Sequence, residues 1–374
     1  VAALVGLLGA GLLAPLGAGA ASTRGVPVAV PGGLAAPMAP APAPTGCSDH
    51  GVGAPGASSG YWVAGADGSV YSCGDAPWDG SLTSQHVAPD GPVVGIATCN
   101  SGFWLVTAAG AVYAFGGNLY LGGVNSAPLP APIVGMAATG DCLGYWLVGA
   151  DGEVYSIEDA DNIGSPVTIA HQGVVGMAAV DEPLAFCRVA REPCATGYWV
   201  AGADGGVFTY STTTQTTPTP GVNGYGAFYL GSLPGCGPLN RPVVAMVAWP
   251  DPVATGPGPT CRGAPEPPGG YWLLGADGGV FAFGDAPYLG STGCLSLNRP
   301  VVGMVATPDT TTVGRSTACL APGATLDKPG GYLTVGADGG VFPFGNATYA
   351  GSLPGSQISV GDIVGLGLYT PEPA

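Results

Sequence analysis

Along most of the chain, short apolar runs rich in Val, Tyr, Trp and Phe alternate with clusters of Gly, Asp, Pro and Ser. Tyr271-Trp272-Leu273-Leu274 is followed by Ala276-Asp277-Gly278-Gly279 and then by Val280-Phe281-Ala282-Phe283. β-Branched and aromatic runs flanking an Asp-Gly pair predict a β-hairpin, with both central turn residues at positive φ. In Tyr61-Trp62-Val63 the apolar residues are consecutive. A strand with one wet face would alternate apolar and polar positions, so these strands are expected to be covered on both faces.

The hairpin is one part of a repeat. The motif GYWLLGADGGVFAFGDAPYLGS and its variants begin at Gly60, Gly102, Gly144, Gly197, Gly270 and Gly331. The first two intervals are 42 residues, and the later ones lengthen to 53, 73 and 61 through insertions. A second block of the PVVGMVA type recurs with the same count, at Pro92, Pro132, Gly173, Pro242, Pro300 and Asp362. The segment Tyr288-Leu289-Gly290-Ser291 is expected to add an outer strand and the VVG block an inner one, whose small residues suit a crowded axis. Four strands in about 42 residues is the size of one β-propeller blade. The chain enters with a GYW block and ends with the unpartnered strand Ile363-Val364-Gly365-Leu366. The expected fold is therefore all-β: a six-bladed β-propeller of four-stranded antiparallel blades, closed by the C-terminal strand completing the N-terminal blade. Such closure removes an exposed strand edge.

The pattern GYW-aliphatic-x-G/S-A-D-G-G-V/I-F-x-F-G-D-A followed by PVVGMA resembles the tandem repeats of secreted actinobacterial β-propeller-like proteins. The resemblance covers residues 60–369 and implies architecture. Some of those proteins carry attached hydrolase or wall-binding modules, but a propeller scaffold by itself names no activity. A looser similarity to quinoprotein repeats lacks the tryptophan those repeats place about a dozen residues after their D-G-x core, which argues against a quinone cofactor.

Composition narrows the class further. The chain is 47% hydrophobic in spite of 68 Gly and 38 Pro, which excludes disorder for most of it. Charged residues make up 9%, net charge is −16, and Lys328 is the one lysine. Nucleic-acid binding draws on clustered cations, so it is excluded as a partner. Residues 1–20 form an apolar run ending in Ala18-Gly19-Ala20, expected to be a signal peptide lacking its basic start. Pro15 and the glycines argue against an anchor, so no membrane span is expected after cleavage. Residues 21–46 form a Pro/Ala-rich linker, leaving 47–374 for the propeller. Ten cysteines suit an oxidising, extracellular compartment.

Candidate chemistry is sparse. His50, His86 and His171 form no metal-ligand spacing. Gly56-Ala57-Ser58-Ser59-Gly60 matches a nucleophile-elbow string but runs into a strand, where the elbow requires a following helix. Asp67, Asp151, Asp204, Asp277 and Asp338 occupy the same hairpin position, where Asp bonds the local backbone, and are assigned a turn role. Glu158-Asp159-Ala160-Asp161-Asn162 aligns with an ordinary repeat turn and lacks calcium-loop spacing. No catalytic residue, metal or cofactor is assigned.

The insertions at 181–196, 249–269 and 307–330 all join a VVG strand to a GYW strand, which places them on one face of the disc. Loops displayed together on a rigid scaffold commonly carry recognition. Phe186, Arg188, Arg191, Trp249, Arg262, Arg315 and Lys328 are the candidate binding residues, amid acidic neighbours. Cys187 and Cys194 share one loop and are the preferred disulfide. Cys99 with Cys142, and Cys47 with Cys73, are further candidates. The 25-residue spacing suggests Cys236 with Cys261 and Cys294 with Cys319, but an inner strand intervenes, so pairing across blades on one face is favoured. The functional expectation is a secreted, monomeric, non-catalytic binding or scaffold module for a cell-wall glycan, polysaccharide or extracellular protein. The alternatives are an extracellular carbohydrate-active hydrolase or lyase and a structural surface protein.

Overall fold

The computed structural model describes residues 46–49, 59–99, 101–167, 173–181, 195–211, 227, 229–234, 238–250, 269–308, 319 and 329–370. The expected signal peptide and the linker up to residue 45 lie outside them. In chain order the first strands are β1 (Cys47–Ser48), β2 (Gly60–Gly65), β3 (Val70–Gly74), β4 (Val93–Cys99), β5 (Gly102–Thr107) and β6 (Val112–Phe115). Next come β7 (Ile133–Ala138), β8 (Gly144–Gly149), β9 (Val154–Glu158), β10 (Val174–Asp181), β11 (Ala195–Gly202) and β12 (Val207–Ser211). The last are β13 (Val243–Ala248), β14 (Gly270–Gly275), β15 (Val280–Gly284), β16 (Val301–Ala306), β17 (Gly331–Gly336), β18 (Val341–Gly345) and β19 (Ile363–Tyr369).

Among the described residues these strands form six antiparallel sheets. Counted by repeat, the first is β1-β3-β2-β19 and the second to sixth have the orders β4-β5-β6, β7-β8-β9, β10-β11-β12, β13-β14-β15 and β16-β17-β18. Each sheet thus joins one VVG strand, one GYW strand and one returning strand. The C-terminal β19 pairs with β2 from Ile363 opposite Gly65 to Tyr369 opposite Gly60. The VVG strands neighbour one another in the succession β4, β7, β10, β13, β16, β19 and back to β4. Each carries a register shift at its third position, as between Val301 and Gly303. A Cβ added to Gly303 would stand 3.0 Å from the Gly365 Cα of the adjoining strand, so that close approach requires a residue without a side chain.

Two expectations are corrected. The hairpin turn is a three-residue loop: the Gly68 N–H donates to the Gly65 carbonyl, the Gly65 N–H donates to the Ser69 carbonyl, and the positive φ falls on Gly68. This is a type I turn followed by a left-handed glycine, so Asp67 stays at negative φ. The segment Tyr288–Ser291 and its repeat equivalents also form no fourth strand. Gly290 takes a φ of 114°, which interrupts an extended backbone.

Side chains hold that segment in place instead. Trp272 Nε1 donates to the Pro287 carbonyl at 2.8 Å, and Tyr332 of the next repeat donates its hydroxyl to the Gly290 carbonyl at 2.5 Å. Trp62, Trp104 and Trp146 make the matching bond to Pro77, Leu119 and Asp161. Tyr145, Tyr198 and Tyr271 reach back to Gly122, Gly164 and Gly231, while Tyr61 of the first repeat reaches Gly351 of the last. These rings are buried between sheets, each Trp lying about 5 Å from an aromatic ring of the next repeat, as Trp272 does from Tyr332. Burial pushes the Tyr61 and Tyr332 hydroxyls far above the usual phenol range, which leaves them protonated donors.

Candidate functional site

The end of each sheet where the VVG strand passes to the GYW strand is where the insertions arise. In the second sheet Cys99 pairs with Gly102, so only Asn100 and Ser101 lie between them. In the fourth, fifth and sixth sheets the corresponding last pairs are Asp181 with Ala195, Ala248 with Tyr271 and Ala306 with Tyr332. The three long insertions therefore leave equivalent ends of consecutive sheets. Phe186, Arg188, Arg191, Arg262, Arg315 and Lys328 lie outside the described residues, as do Cys187, Cys194, Cys236 and Cys261.

Trp249 departs from expectation. It is 7% exposed and packs edge-on against Trp272, ring centroids 5.2 Å apart and planes at 89°. Its backbone N–H donates to the Gly270 carbonyl, continuing the β13 ladder, and this directs the indole between sheets instead of outward. A Cβ on Gly330 would stand 2.3 Å from the indole, so the return of the next insertion covers it. Thr139 and Thr307 hold the same repeat position and are also buried.

The repeated aspartates bond the turn backbone. Asp67, Asp151, Asp204, Asp277 and Asp338 each accept, through Oδ1, the N–H two residues on, at 2.8–3.1 Å. In the Glu158–Asn162 stretch, Glu158 sits at a φ of 52°, where the first, second, fifth and sixth repeats have Gly. Burial first, then the hydrogen bond and charge of Asp141 and the charge of Asp161, raise the Asp159 carboxyl above its usual range. Among the described residues no three potential ligands converge on a metal position.

Among the described residues three disulfides join Cys47 to Cys73, Cys99 to Cys142, and Cys294 to Cys319. The last corrects the favoured cross-blade pairing. Although β16 lies between them in the chain, Cys319 stands beside Cys294: Tyr288 donates its hydroxyl to the Cys319 carbonyl at 3.0 Å and the Cys294 N–H donates to Cys319 Sγ at 2.9 Å. An intervening strand does not separate two cysteines when one lies on a loop long enough to return.

No protein-family model matches the chain, and no curated protein matches it. Among solved structures, one described as YCF48 bound to D1 peptide is 12% identical with a TM-score of 0.39, over 82% of this chain and 86% of that one. BBS1N in complex with ARL6DN, soaked with mercury, is 13% identical with a TM-score of 0.34, over 71% of this chain and 69% of that one. Among the described residues no helix is long and apolar enough to cross a membrane.

Proposed function

We propose that the six sheets are the blades of a β-propeller, with the VVG strands around its axis and the ring closed between β2 and β19. The cyclic succession of VVG strands supports this reading, as does the bond from Tyr61 in the first repeat to Gly351 in the last. On this scaffold the protein acts as a secreted, non-catalytic binding or scaffold module. The single observation that carries the binding role is the departure of three long insertions from equivalent ends of consecutive sheets, where the second sheet needs two residues. Rigid sheets that present adjacent long loops favour recognition of an extended surface. Arg188, Arg191, Arg262, Arg315 and Lys328, interspersed with acids and Phe186, suit a cell-surface glycan or an extracellular protein. Three disulfides fit an oxidising compartment.

The test replaces residues 250–269 with the Asn-Ser link that joins Cys99 to Gly102 and leaves the buried Trp249 in place. Glycan arrays and pull-downs from cell-surface extracts are expected to yield a ligand for the parent protein that the variant binds at least about tenfold more weakly, a loss of roughly 1.4 kcal/mol. Unaltered binding in a variant with unchanged thermal unfolding, or the absence of any ligand for the parent, would count against the reading.

A further inference from the structure

We propose that the outer edge of β6 is a docking slot for an extended, uncharged, Gly/Ala-rich segment of a partner protein, which adds to the second sheet as a fourth strand. The site lies on the returning strand of the second sheet, whereas the three long insertions leave the fourth, fifth and sixth.

A cleft of about 370 Å³ runs between β6 and the segment that follows β3, lined by Leu82, Gln85, Val87, Tyr113, Phe115 and Tyr120, among others. Repeat arithmetic shows what this cleft is. Leu82, Gln85 and Val87 correspond to Leu353, Ser356 and Ile358 in the last repeat, and Tyr113 and Phe115 correspond to Tyr71 and Cys73 in the first. Between those corresponding residues the same slot is already filled by the molecule's own chain. There β1 pairs antiparallel with β3, Cys47 opposite Cys73 and Ser48 opposite Ser72. The Cys47 N–H donates to Ser356 Oγ at 2.7 Å, and the Gly74 N–H donates to the Gly46 carbonyl at 3.3 Å. The two walls have the same local backbone, since His86 and Gln357 both adopt left-handed φ, at 56° and 62°.

The difference is occupancy. A Cβ on Gly351 would stand 3.0 Å from the backbone of Gly46, whereas on Gly80, its equivalent, it would meet nothing nearer than 3.7 Å. Among the described residues, sheet order leaves β6 with β5 on one side and no strand on the other. An added strand draws its affinity from main-chain hydrogen bonds along such an edge and its selectivity from the side-chain pockets beside it.

The lining states the chemistry of the occupant. Those six side chains carry no charge, and the chain as a whole is strongly acidic, which disfavours an acidic peptide. Phe115, a far larger residue, is buried at the position of Cys73 in the first slot, so the residue opposite it must be small. Gln85, Phe115 and Ser84 lie 3.7–3.8 Å from a Cβ on Gly80, so the residue that would take there the place Gly46 has over Gly351 must be smaller still. Val87 and Tyr120, 39% and 64% exposed, offer apolar surface to a flanking side chain.

The probe is the peptide acetyl-Pro-Thr-Gly-Ala-Ser-amide, residues 44–48 with Cys47→Ala, titrated against the full chain. One-to-one saturable binding is expected, weakened about tenfold or more by Gln85→Ala and by Val87→Glu. A second variant, Phe115→Cys, recreates the first slot's cysteine. Given the peptide Pro-Thr-Gly-Cys-Ser as its symmetric disulfide, it should undergo thiol–disulfide exchange, the thiolate forming the mixed disulfide and one peptide thiol leaving, at least about tenfold faster than the exposed control Leu119→Cys. Equal binding by Val87→Glu, or equal capture by the two cysteine variants, overturns the proposal. So does concentration-dependent dimerisation abolished by Val87→Glu, which would make a second copy the occupant. Retention of peptide binding when residues 250–269 are replaced separates this site from the insertion loops, and its loss in that variant overturns the assignment.

Discussion

Asp67 and Gly65 illustrate how one side chain dictates another within the repeat. The Asp67 carboxylate lies back over its turn, and a Cβ on Gly65 would stand 2.9 Å from its Oδ1. The same pair recurs as Gly149 with Asp151, Gly202 with Asp204, Gly275 with Asp277 and Gly336 with Asp338, at 2.5–2.9 Å. The second repeat breaks both halves together: Ala109 replaces the aspartate and Thr107 the glycine. The Ala111 N–H, which an aspartate would have bonded, donates to Thr107 Oγ1 at 3.1 Å. A double-mutant cycle in the fifth repeat follows from this exchange. Asp277→Ala should cost about 1 kcal/mol, the usual net worth of one hydrogen bond. Gly275→Thr alone should be destabilising by a clash, and the two together should recover most of the loss in urea unfolding. Strict additivity of the two single changes would contradict the coupling.

At the scale of the element, the segment after each returning strand is an inter-sheet gasket and not a strand. Leu289, fully buried, gives its N–H to the Tyr332 hydroxyl. At the junction between the first and second repeats, Asp79 takes the leucine's place and Phe103 the tyrosine's. Asp79 Oδ2 is buried with no hydrogen-bond partner, and desolvation raises the carboxyl above its usual range. A carboxyl whose folded pKa is raised favours the fold when protonated; its contribution is full below the unfolded-state pKa and is lost as pH rises through the folded value. Asp79→Leu should therefore raise the Tm at pH 7, and the gain should shrink as pH falls through the carboxylate range. A pH-independent gain would assign the effect to packing alone. Sequence reading took these segments for strands because aromatic and aliphatic residues precede the glycine. The bonds that hold them come from Trp and Tyr side chains, and no strand propensity registers such bonds.

For the whole molecule, the pairing of β19 with β2 joins residues about three hundred positions apart. Ile363 and Leu366 are buried with Tyr61, Val63 and Leu333, while Val364 and Tyr369 cover a separate cluster with Trp62 and Phe103. Tyr369 meets Trp62 edge-on at 5.4 Å. Truncation before Asp362 strips both clusters and bares the edge of β2, a template for association. Cooperative thermal unfolding by circular dichroism should be lost, with aggregates on size-exclusion chromatography. A truncated protein that stays monodisperse and melts within a few degrees of the parent would show that β19 is dispensable.

The identity of the VVG, GYW and returning strands, the count of six sheets and the partner of the last strand were legible from residue order, whereas the outer segment read as a strand is not one. A repeat that cannot bury its own apolar faces must place every copy in the same environment, and block order leaves the final strand one open partner. The course of the long insertions was not legible. Whether Cys319 returns to Cys294, whether Trp249 turns inward, and which outer edge receives β1 depend on distances between segments far apart in the chain, and those distances exist only once the sheets have packed.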